Sequence, residues 1–446
     1  MRSVEGRGSP RAAHPGGGDM DDATWSLRCV DCGASWPGLD VRYRCDCGGT
    51  LDVVHDLDSL RGLPLLQTFD ARRASRDRLD RSGVWRFREL VLPLDDASVV
   101  TRPEGNTALY DLPRIAAYAG LDAIRLKHEG ENPTGSFKDR GMTVGISVAR
   151  RLGMTRVACA STGNTSASMA AYAAMAGMEA FVFIPDGAVA AGKLSQALAY
   201  GARTLKIAGD FDAAMDLVQQ VCRAEGIYLL NSINPFRIEG QKAIAFELLQ
   251  DLGWQVPDWI VLPGGNLGNS AAIGKGMTEM LALGLIDRLP RIAVIQAEGA
   301  SPLVDAFRTG ADLVPMPRAS TIATAIRIGN PVSWRKSLRG IRAGGGTVER
   351  VTDAEILEAK AVVDAAGVGA EPASCATVAG AKKLVAAGVI RPDAFVCGIL
   401  TGHVLKDADT VVGYHLGTLP GFTPQHPNAP VSVPANLDAL RKAIVR

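Results

Sequence analysis

Residues 157–185 read VACASTGNTSASMAAYAAMAGMEAFVFIP and contain two short apolar runs separated by a longer segment of helical pattern. The pattern predicts a strand at 157–161, a helix at 165–176 and a second strand at 180–185. Strands that are apolar along their whole length are typical of sheets covered by helices on both faces. The stretch therefore predicts a β-α-β unit of a mainly parallel sheet.

The same alternation of strands and helices continues toward the C-terminus. Further apolar strands are predicted at TLKIAG (204–209), IYLLN (227–231), WIVLP (259–263), IAVIQAE (292–298) and AFVCGILT (394–401). The helices that accompany them are predicted near 191–200, 211–225, 238–252 and 269–284. This order predicts an α/β fold with two doubly wound, mainly parallel-sheet domains, and ligands bind such sheets at the carboxyl ends of the strands.

The chain of 446 residues is long enough for two or three domains. The predicted divisions are a disordered tail at 1–22, a small unit at 23–58, a main body at 59–430 with a smaller subdomain at roughly 135–230, and a C-terminal tail or helix at 431–446. Because nothing before Met20 has a structural pattern, that residue is an alternative start to Met1. The Arg-rich segment 70–83 is predicted to be helical and the Pro-rich segment 418–434 to be extended.

The composition argues against several classes of partner. The net charge is +1 and aromatic residues make up 5%, so neither a basic stripe nor base-stacking side chains support nucleic-acid binding. No run of about 18 apolar residues is present, which predicts that the chain does not span a membrane. The N-terminal residues lack the apolar core of a signal peptide, and we therefore expect a cytoplasmic protein.

Four of the eight cysteines cluster as Cys29-x2-Cys32-x12-Cys45-x-Cys47. Four thiolates on two short turns suit a structural zinc ion, which prefers tetrahedral sulfur ligands. The small unit at 23–58 is therefore predicted to be zinc-ribbon-like, with these four cysteines as ligands. The second arm is shorter than the usual Cys-x2-Cys spacing, so a degenerate ribbon with free thiols is the alternative. A catalytic metal is not expected, because four cysteines would fill its coordination sphere.

A lysine occupies an unusual position in ENPTGSFKDRGM, residues 131–142. Ser136 is expected to cap a helix that runs to about residue 152, which places Lys138 in the first turn. A cation gains nothing at this positive end of a helix, so the position favours a lysine with a lowered pKa and a nucleophilic amine. The alternative is an ordinary solvated start of a helix.

Three further segments follow strands and offer groups that bind anions. STGNTSAS (161–168) places hydroxyls and N–H groups at a helix N-terminus. PGGNLGN (263–269) lets the backbone wrap closely round an anion, although it matches neither the Walker nor the G-x-G-x-x-G pattern. ILTGHVLKD (399–407) places Thr401 at a strand end and offers His403 as an acid–base or a structural group.

Each of these segments alone is also consistent with an ordinary turn between a strand and a helix. Taken together, a lysine, two anion-binding turns and a strand-end hydroxyl suit a phosphorylated aldehyde cofactor and a substrate that carries a carboxylate. Pyridoxal 5'-phosphate (PLP) is the expected cofactor.

Seven segments resemble, in sequence and in order, those of the tryptophan-synthase-β-like (fold type II) PLP-dependent enzymes, and among these the threonine synthases. They are ENPTGSFKDRG, STGNTSAS, NSINPFRIEGQK, PGGNLGN, TAIRIGNP, EPAS and LTGHVLKD. The resemblance covers roughly residues 100–410, and a zinc-ribbon-like front end also occurs in some members. It implies a PLP site in the cleft between the two domains and a homodimer.

The resemblance also implies roles for single residues. Lys138 is implied to hold PLP as a Schiff base and to act as the catalytic base, with Asn164 beside the 3'-oxygen and Thr401 at the pyridine nitrogen. The phosphate of PLP is implied to bind the loop of Gly264, Gly265, Asn266, Leu267, Gly268 and Asn269. The substrate is implied to bind through its phosphate to Asn231, Ser232 and Arg237, and through its carboxylate to Ser161, Thr162 and Thr165.

The implied reaction converts a small phosphorylated amino acid, O-phospho-L-homoserine, and water into L-threonine and phosphate. The alternatives are β-replacement or elimination on another amino acid, such as phosphoserine in a cysteate-synthase-like enzyme, and threonine or serine dehydration. A remote alternative is a non-catalytic zinc-ribbon binding protein. The family usually reads TGHGLKD, and this chain departs from it at Val404, a difference that bears on the substrate more than on the cofactor.

Overall fold

A computed structural model describes residues 24–186, 191–208 and 211–445. The tail predicted at 1–22, with the alternative start at Met20, lies outside these residues. The strands are β1 (Trp25–Cys29), β2 (Ser35–Pro37), β3 (Leu51–His55), β4 (Leu109–Asp111), β5 (Ile124–His128), β6 (Arg156–Ala160), β7 (Glu179–Pro185), β8 (Arg203–Ile207), β9 (Tyr228–Leu229), β10 (Trp259–Pro263), β11 (Arg291–Ala297), β12 (Thr347–Val351) and β13 (Val396–Leu400).

The helices connect these strands and cover the sheets. They are α1 (Leu65–Arg73), α2 (Arg88–Val91), α3 (Pro113–Ala119), α4 (Lys138–Arg151), α5 (Asn164–Ala176), α6 (Ala191–Ala199), α7 (Phe211–Ala224), α8 (Phe236–Asp251), α9 (Gly268–Ala282), α10 (Pro302–Thr309), α11 (Trp334–Ala343), α12 (Asp353–Ala365), α13 (Pro372–Ala386), α14 (Ala408–Leu416) and α15 (Leu437–Ile444). None of the helices in the described ranges combines the length and the apolarity needed to cross a bilayer.

The strands form three sheets. An antiparallel sheet of order β2-β1-β3 lies within the unit predicted at 23–58, and we call residues 24–55 the ribbon. A six-stranded sheet has the order β12-β11-β10-β13-β5-β4 and is parallel except for β4 at its edge. A four-stranded parallel sheet of order β8-β7-β6-β9 lies within the range predicted for the smaller subdomain. The predicted α/β class with two mainly parallel sheets is confirmed.

Strand β10 shows why the sequence of the large sheet is apolar along its whole length. Ile260 and Leu262 point into one buried core, which also contains residues of α8 and α9. Trp259 and Val261 point into a second core on the opposite face, together with residues of α12 and α13. Because helices cover both faces, no residue of this strand faces water, and the alternation of polar and apolar residues seen in half-exposed strands is absent.

The loop before Lys138 is held by the end of β13. Phe137 donates its backbone N–H to the carbonyl of Thr401 at 3.0 Å, and His403 donates to the carbonyl of Gly135 at 3.0 Å. Two segments that are more than 260 residues apart in the sequence therefore meet at the carboxyl end of the large sheet.

Two local predictions were wrong. Ser136 does not cap the helix after it, since Phe137 takes the capping position without a side-chain hydrogen bond and the backbone of Ser136 pairs with Gly402 instead. The segment 70–83 is helical only as far as Arg73. Beyond that point Arg78 donates to the carbonyls of Val99 and Asp96, which lie outside the segment.

Candidate active site

A cavity of about 1370 Å³ is lined by residues that follow strands of both parallel sheets. Most of the side chains implied by the resemblance line it, namely Lys138, Ser161, Thr162, Asn164, Thr165, Asn231, Ser232, Gly265, Asn266, Leu267, Gly268, Asn269 and Thr401. Gly264 and Arg237 are buried and do not belong to the lining. We call this cavity the cleft.

Lys138 presents its amine to the cleft from the first turn of α4. Its Nζ lies 4.0 Å from the centre of the Phe137 ring, and no carboxylate of the described residues lies within ion-pairing distance. Burial and, to a smaller extent, the positive charge of Arg237 lower the pKa of Lys138 to about 7, although the negative charge of Glu371 acts in the opposite direction. A large fraction of this amine is therefore uncharged at neutral pH, as a base or nucleophile requires.

The two residues after Lys138 anchor its backbone. The carboxylate of Asp139 is fully buried and accepts bonds from the backbone N–H of Thr134 at 2.7 Å and from the hydroxyl of Ser168 at 2.5 Å. Arg140 donates to Glu129 at 2.6 Å and to Glu247 at 2.9 Å, and all three side chains are buried. Charged hydrogen bonds of this kind are strong, so the base of the lysine is fixed while its amine stays unpaired with any carboxylate among the described residues.

The loop at 264–269, which we call the phosphate loop, is shaped for a close-lying anion. A β-carbon on Gly264 would lie 2.5 Å from Val294, so only glycine fits there. Leu267 has a φ of 64°, a left-handed conformation that turns the chain into the first turn of α9. Asn269 is buried, and neither its amide nitrogen nor its amide oxygen has a hydrogen-bond partner in the described part of the chain.

Buried polar atoms without partners are costly and rare, and a helix N-terminus attracts anions. The amide of Asn269 at the start of α9 therefore fits the phosphate of PLP. The residues of the cleft accept this cofactor on the chemistry of their donors, with an amine on α4 and an anion site on α9.

Thr401 lies in a buried hydrogen-bond network with Ser374 and Glu371. Ser374 Oγ accepts the backbone N–H groups of Thr401 at 2.8 Å and Gly402 at 2.9 Å, and its own proton can go to Thr401 Oγ1 at 3.0 Å or to the carbonyl of Gly402 at 3.3 Å. The hydroxyl of Thr401 can then donate onward, either to Glu371 at 3.4 Å or to a ring nitrogen in the cleft. Such a hydroxyl is suited to an unprotonated pyridine nitrogen.

Glu371 is a cleft residue for which the sequence offered no role, although it begins the quoted segment EPAS. The amide nitrogen of Asn164 donates to both oxygens of this carboxylate, at 3.1 and 3.3 Å. Burial raises the pKa of Glu371, and hydrogen bonding by Asn164 and the charges of Lys406 and Lys138 act against this rise. Glu371 therefore fixes the orientation of Asn164, with the amide oxygen left for a donor.

The side of the cleft that contains Ser161 and Ser232 is built from two adjoining strand ends. Both atoms of the Asn231 amide bond to the backbone of Ala160, at 2.9 and 3.2 Å, so this side chain continues the pairing of β6 with β9. This pairing explains why β9 ends at Leu229, two residues before the predicted end. It also brings Ser161 and Ser232, which follow the two strands, to the same edge of the sheet.

Arg237 lies behind this edge with 2% of its surface exposed. It donates to the carbonyl of Leu230 at 3.0 Å, and its Nε has no partner within the described ranges. Burial lowers the pKa of Arg237 to about 10, which leaves it positively charged at neutral pH. A buried guanidinium that forms no ion pair with the described residues is a source of positive potential for an anion in the cleft.

Some cleft residues were not predicted, because the sequence pattern around them does not indicate a function. Arg327 from TAIRIGNP and Lys406 from LKD both line the cleft, and Lys406 donates to Gln196 on α6. His403 also lines it, and its Nδ1 accepts the N–H of Leu405 at 3.2 Å, so the neutral ring carries its proton on Nε2. Val404 lies outside the lining and packs beside Gly369.

The four clustered cysteines lie together in the ribbon. Their sulfur atoms are all within 4.8 Å of one another, with Cys29 Sγ 3.6 Å from Cys47 Sγ and Cys32 Sγ 3.4 Å from Cys45 Sγ. Zinc–sulfur bonds of about 2.3 Å place tetrahedral ligands about 3.8 Å apart. The cluster is thus compatible with a four-sulfur metal site.

Comparison with known proteins places the cleft within a family. The sequence pattern of the pyridoxal-phosphate dependent enzymes matches residues 100–402, more than half of the chain. This range includes Lys138, the phosphate loop and Thr401.

Relatives of known name are similar over most of their length. A threonine synthase of Methanosarcina acetivorans is 48% identical over 94% of this chain and 98% of its own. A threonine synthase of Methanocaldococcus jannaschii is 47% identical over 86% of this chain and 94% of its own.

Solved structures share the architecture at low sequence identity. Maize serine racemase superimposes with a TM-score of 0.59 at 20% identity, over 78% of this chain and 95% of its own. Diaminopropionate ammonia lyase from Escherichia coli has a TM-score of 0.61 at 14% identity, over 92% of this chain and 99% of its own. At these identities the likeness shows the fold alone.

Proposed function

Since this chain belongs to the family of pyridoxal-phosphate dependent enzymes and, within it, to the threonine synthases, we propose that its cleft converts O-phospho-L-homoserine and water into L-threonine and phosphate. The observation that carries the proposal is the amine of Lys138, with its pKa near 7, in the same cleft as an anion site with an unsatisfied amide at Asn269. A lysine and a phosphate site facing one cavity are the two anchors that PLP needs.

The cofactor would be held by residues from four elements. Lys138 would bind it covalently, the phosphate loop would bind its phosphate, Asn164 would lie at the 3'-oxygen and Thr401 would donate to the pyridine nitrogen. When bound, PLP supplies the electron sink that acidifies hydrogens of the substrate. A hydroxyl at the ring nitrogen leaves the ring less protonated than a carboxylate would, which makes it a milder sink.

The substrate would be held at both of its charged ends. Ser161, Thr162 and Thr165, with the N–H groups at the start of α5, would bind the carboxylate. Asn231, Ser232 and Arg237 would bind the phosphate, with the guanidinium as the charged member of the set. In this pose the amine of Lys138 would take the proton from Cα and then one from Cβ, and phosphate would depart from Cγ. A proton would then be returned to Cγ, water would add its hydroxyl at Cβ, and a proton would be returned to Cα, which gives threonine and phosphate.

The test is an assay of purified, PLP-loaded protein with O-phospho-L-homoserine beside O-phospho-L-serine, in which both phosphate release and the amino-acid product are measured. We expect threonine from phosphohomoserine, and we expect Lys138→Ala to abolish it. Lys206→Ala, which removes an exposed lysine on β8, is the matched control and should keep the activity.

The outcomes separate the alternatives. Phosphate release from phosphoserine alone would overturn threonine synthesis and keep the assignment of Lys138. A protein that takes up no PLP, as judged by the visible absorbance of the bound cofactor, would support a non-catalytic binding protein instead.

We propose four further properties that are finer than the family assignment. Structural zinc in the ribbon is supported by the spacing of the four sulfur atoms, and metal analysis of the purified protein tests it. A cytoplasmic location is supported by the eight free cysteines, since secreted proteins usually pair theirs. A homodimer is supported by the resemblance and is tested by sedimentation. The domain boundaries predicted from the sequence are supported by the ranges of the three sheets.

A further inference from the structure

The ribbon contacts the body on both sides of the segment 230–237, which contains Asn231, Ser232 and Arg237. The first contact involves Tyr43, whose hydroxyl oxygen accepts the backbone N–H of Leu229 at 2.7 Å. The Tyr43 ring also packs against Tyr228, with ring centres 5.8 Å apart.

This contact closes a free strand edge. Strand β9 is the last of its sheet and pairs with β6 on one side only. Leu230 donates its N–H to Ala158 of β6, so the N–H of Leu229 points the other way, toward the ribbon. Tyr43 therefore replaces the missing strand at the residue that leads into the segment.

The second contact lies just after the segment. The ring of His55, at the end of β3, bonds to Glu239 on α8 at 2.6 Å, and the side chains are 3% and 0% exposed. Lys242 places its ammonium 2.5 Å from Glu239 and 2.6 Å from Glu279, and 3.3 Å from His55 Nε2. The lysine thus already supplies the cation for this group of acids, and a metal ion is not needed to explain it.

The same cluster connects the ribbon strand to α9. Lys275 donates to Glu239 at 2.5 Å and to Asp52 at 3.2 Å, and it also bonds to the carbonyl of Val53. Buried, hydrogen-bonded charges hold their geometry tightly, because moving one partner leaves the other uncompensated. The residue that follows the segment by two positions is therefore fixed relative to β3.

We infer that the ribbon is a brace that positions the segment 230–237 for the phosphate of the substrate, with Tyr43 and His55 as its positioning residues. The inference rests on the proposed function, because it takes this segment as the phosphate site. A displacement of about 1 Å of a binding group costs up to about 100-fold in a reaction that depends on orientation. The brace acts on the segment through Leu229 and Glu239, whereas Lys138 is anchored by other hydrogen bonds, those of Asp139 and Arg140.

The experiment uses the full-length, PLP-loaded protein and compares Tyr43→Phe with Tyr118→Phe. The first variant removes only the acceptor of the Leu229 N–H, and the second removes a tyrosine hydroxyl on α3, outside the cleft. KM and kcat for O-phospho-L-homoserine, the affinity for inorganic phosphate by calorimetry, and hydrogen exchange of residues 228–239 are measured for each.

We expect Tyr43→Phe to raise both KM and the dissociation constant for inorganic phosphate by about 3- to 10-fold, the worth of one hydrogen bond. The value of kcat should stay within about twofold, the affinity for PLP should not change, and the amides of 228–239 should exchange faster. Tyr118→Phe should behave as the wild type.

A second pair of variants tests the other contact. His55→Leu should raise the same two constants at least as much, and His55→Gln, which keeps an N–H for Glu239, should restore them in part. Equal loss of PLP affinity and of phosphate affinity would show a general structural role and overturn the brace.

The readouts distinguish failure of the brace from failure of the proposed function. If the wild type makes no threonine but Tyr43→Phe binds phosphate more weakly than the wild type, the proposed function would be overturned and the brace would stand. If the protein forms threonine but its affinity for phosphate is the same in Tyr43→Phe and wild type, the proposed function would stand and the brace would be overturned. A wild type that does not bind inorganic phosphate would overturn the brace, since the segment would not be the phosphate site.

Discussion

Lys138 in the cleft and Lys275 in the contact between ribbon and body are both partly buried, and their surroundings shift their pKa values in opposite directions. Burial lowers the pKa of Lys138 to about 7, with Glu371 as the carboxylate that opposes it. Burial also disfavours the charged form of Lys275, but Asp52, Glu239 and Glu279 outweigh it and raise its pKa. One lysine is left chemically reactive and the other is a permanent cation.

The difference shows that burial alone does not define a functional lysine. Lys138 differs in two respects. Its amine forms no ion pair with the described residues, and the neighbouring side chains of Asp139 and Arg140 are held by buried hydrogen bonds. Structural ion clusters also contain strongly shifted groups, so a shifted pKa needs the geometry of a cleft before it indicates chemistry.

The same substitution at both lysines gives the largest expected contrast. Lys138→Arg keeps the charge but removes the neutral amine, because arginine stays protonated at any accessible pH. We expect its kcat to fall by at least about 1000-fold, as for loss of a catalytic base or nucleophile. Lys275→Arg keeps the cation and should retain activity within a few-fold. Both variants are measured as steady-state rates of threonine formation. Equal losses at the two sites would show that the two lysines do not differ in role.

Removal of the charge at Lys275 should affect folding more than chemistry. Lys275→Met leaves Glu239 and Asp52 without one of their cations in a buried site, and breaking such a cluster costs about 3–5 kcal/mol. We expect the free energy of unfolding in urea to fall by about this amount. The control is Lys206→Met on the exposed face of β8, which should change the free energy of unfolding by less than about 0.5 kcal/mol. If the two variants lowered the free energy of unfolding by a similar amount, the cluster would not be stabilising.

The depressed pKa of Lys138 predicts how the PLP-free protein takes up its cofactor. Below pH 7 the ammonium form dominates and about a tenth of the amine is neutral at pH 6, whereas above pH 8 nearly all of it is neutral. The rate of PLP capture by the cofactor-free protein, followed by visible absorbance, should therefore rise with a midpoint near pH 7. N-acetyl-lysine measured in parallel should show its midpoint near about pH 10.4, and a protein midpoint in that range would contradict the prediction.

The smallest expected effect comes from the carboxylate that still acts on Lys138. Glu371→Gln removes a negative charge that favours the ammonium form, so the midpoint of PLP capture should move down by about half a pH unit. The substitution keeps an acceptor for the Asn164 amide and therefore should not prevent binding of PLP. A midpoint that does not move would show that Glu371 is protonated or directed away from the amine.

The parts of the site that could be predicted from the sequence are those built by contiguous residues. The glycines of the phosphate loop, the lysine at the start of a helix and the hydroxyls of STGNTSAS lie together because each segment follows a strand, and parallel strands place their carboxyl ends on one edge. Glu371, Arg327 and Lys406 were missed because the patterns around them do not indicate where their side chains point. The cap predicted for Ser136 was wrong because its backbone pairs with Gly402, a partner far away in the sequence.

By itself the sequence determined the α/β class, the order of the strands along the chain and the residue types at the cleft, because periodicity and turn chemistry act over a few residues. Only the tertiary structure decided the ionisation of the two lysines, the partner of Asn231 and the contacts of the ribbon at Leu229 and Glu239. These properties depend on which distant groups come within a few ångströms and how much water they exclude. The local sequence pattern contains neither these distances nor the degree of water exclusion, because both arise only when separate segments pack together.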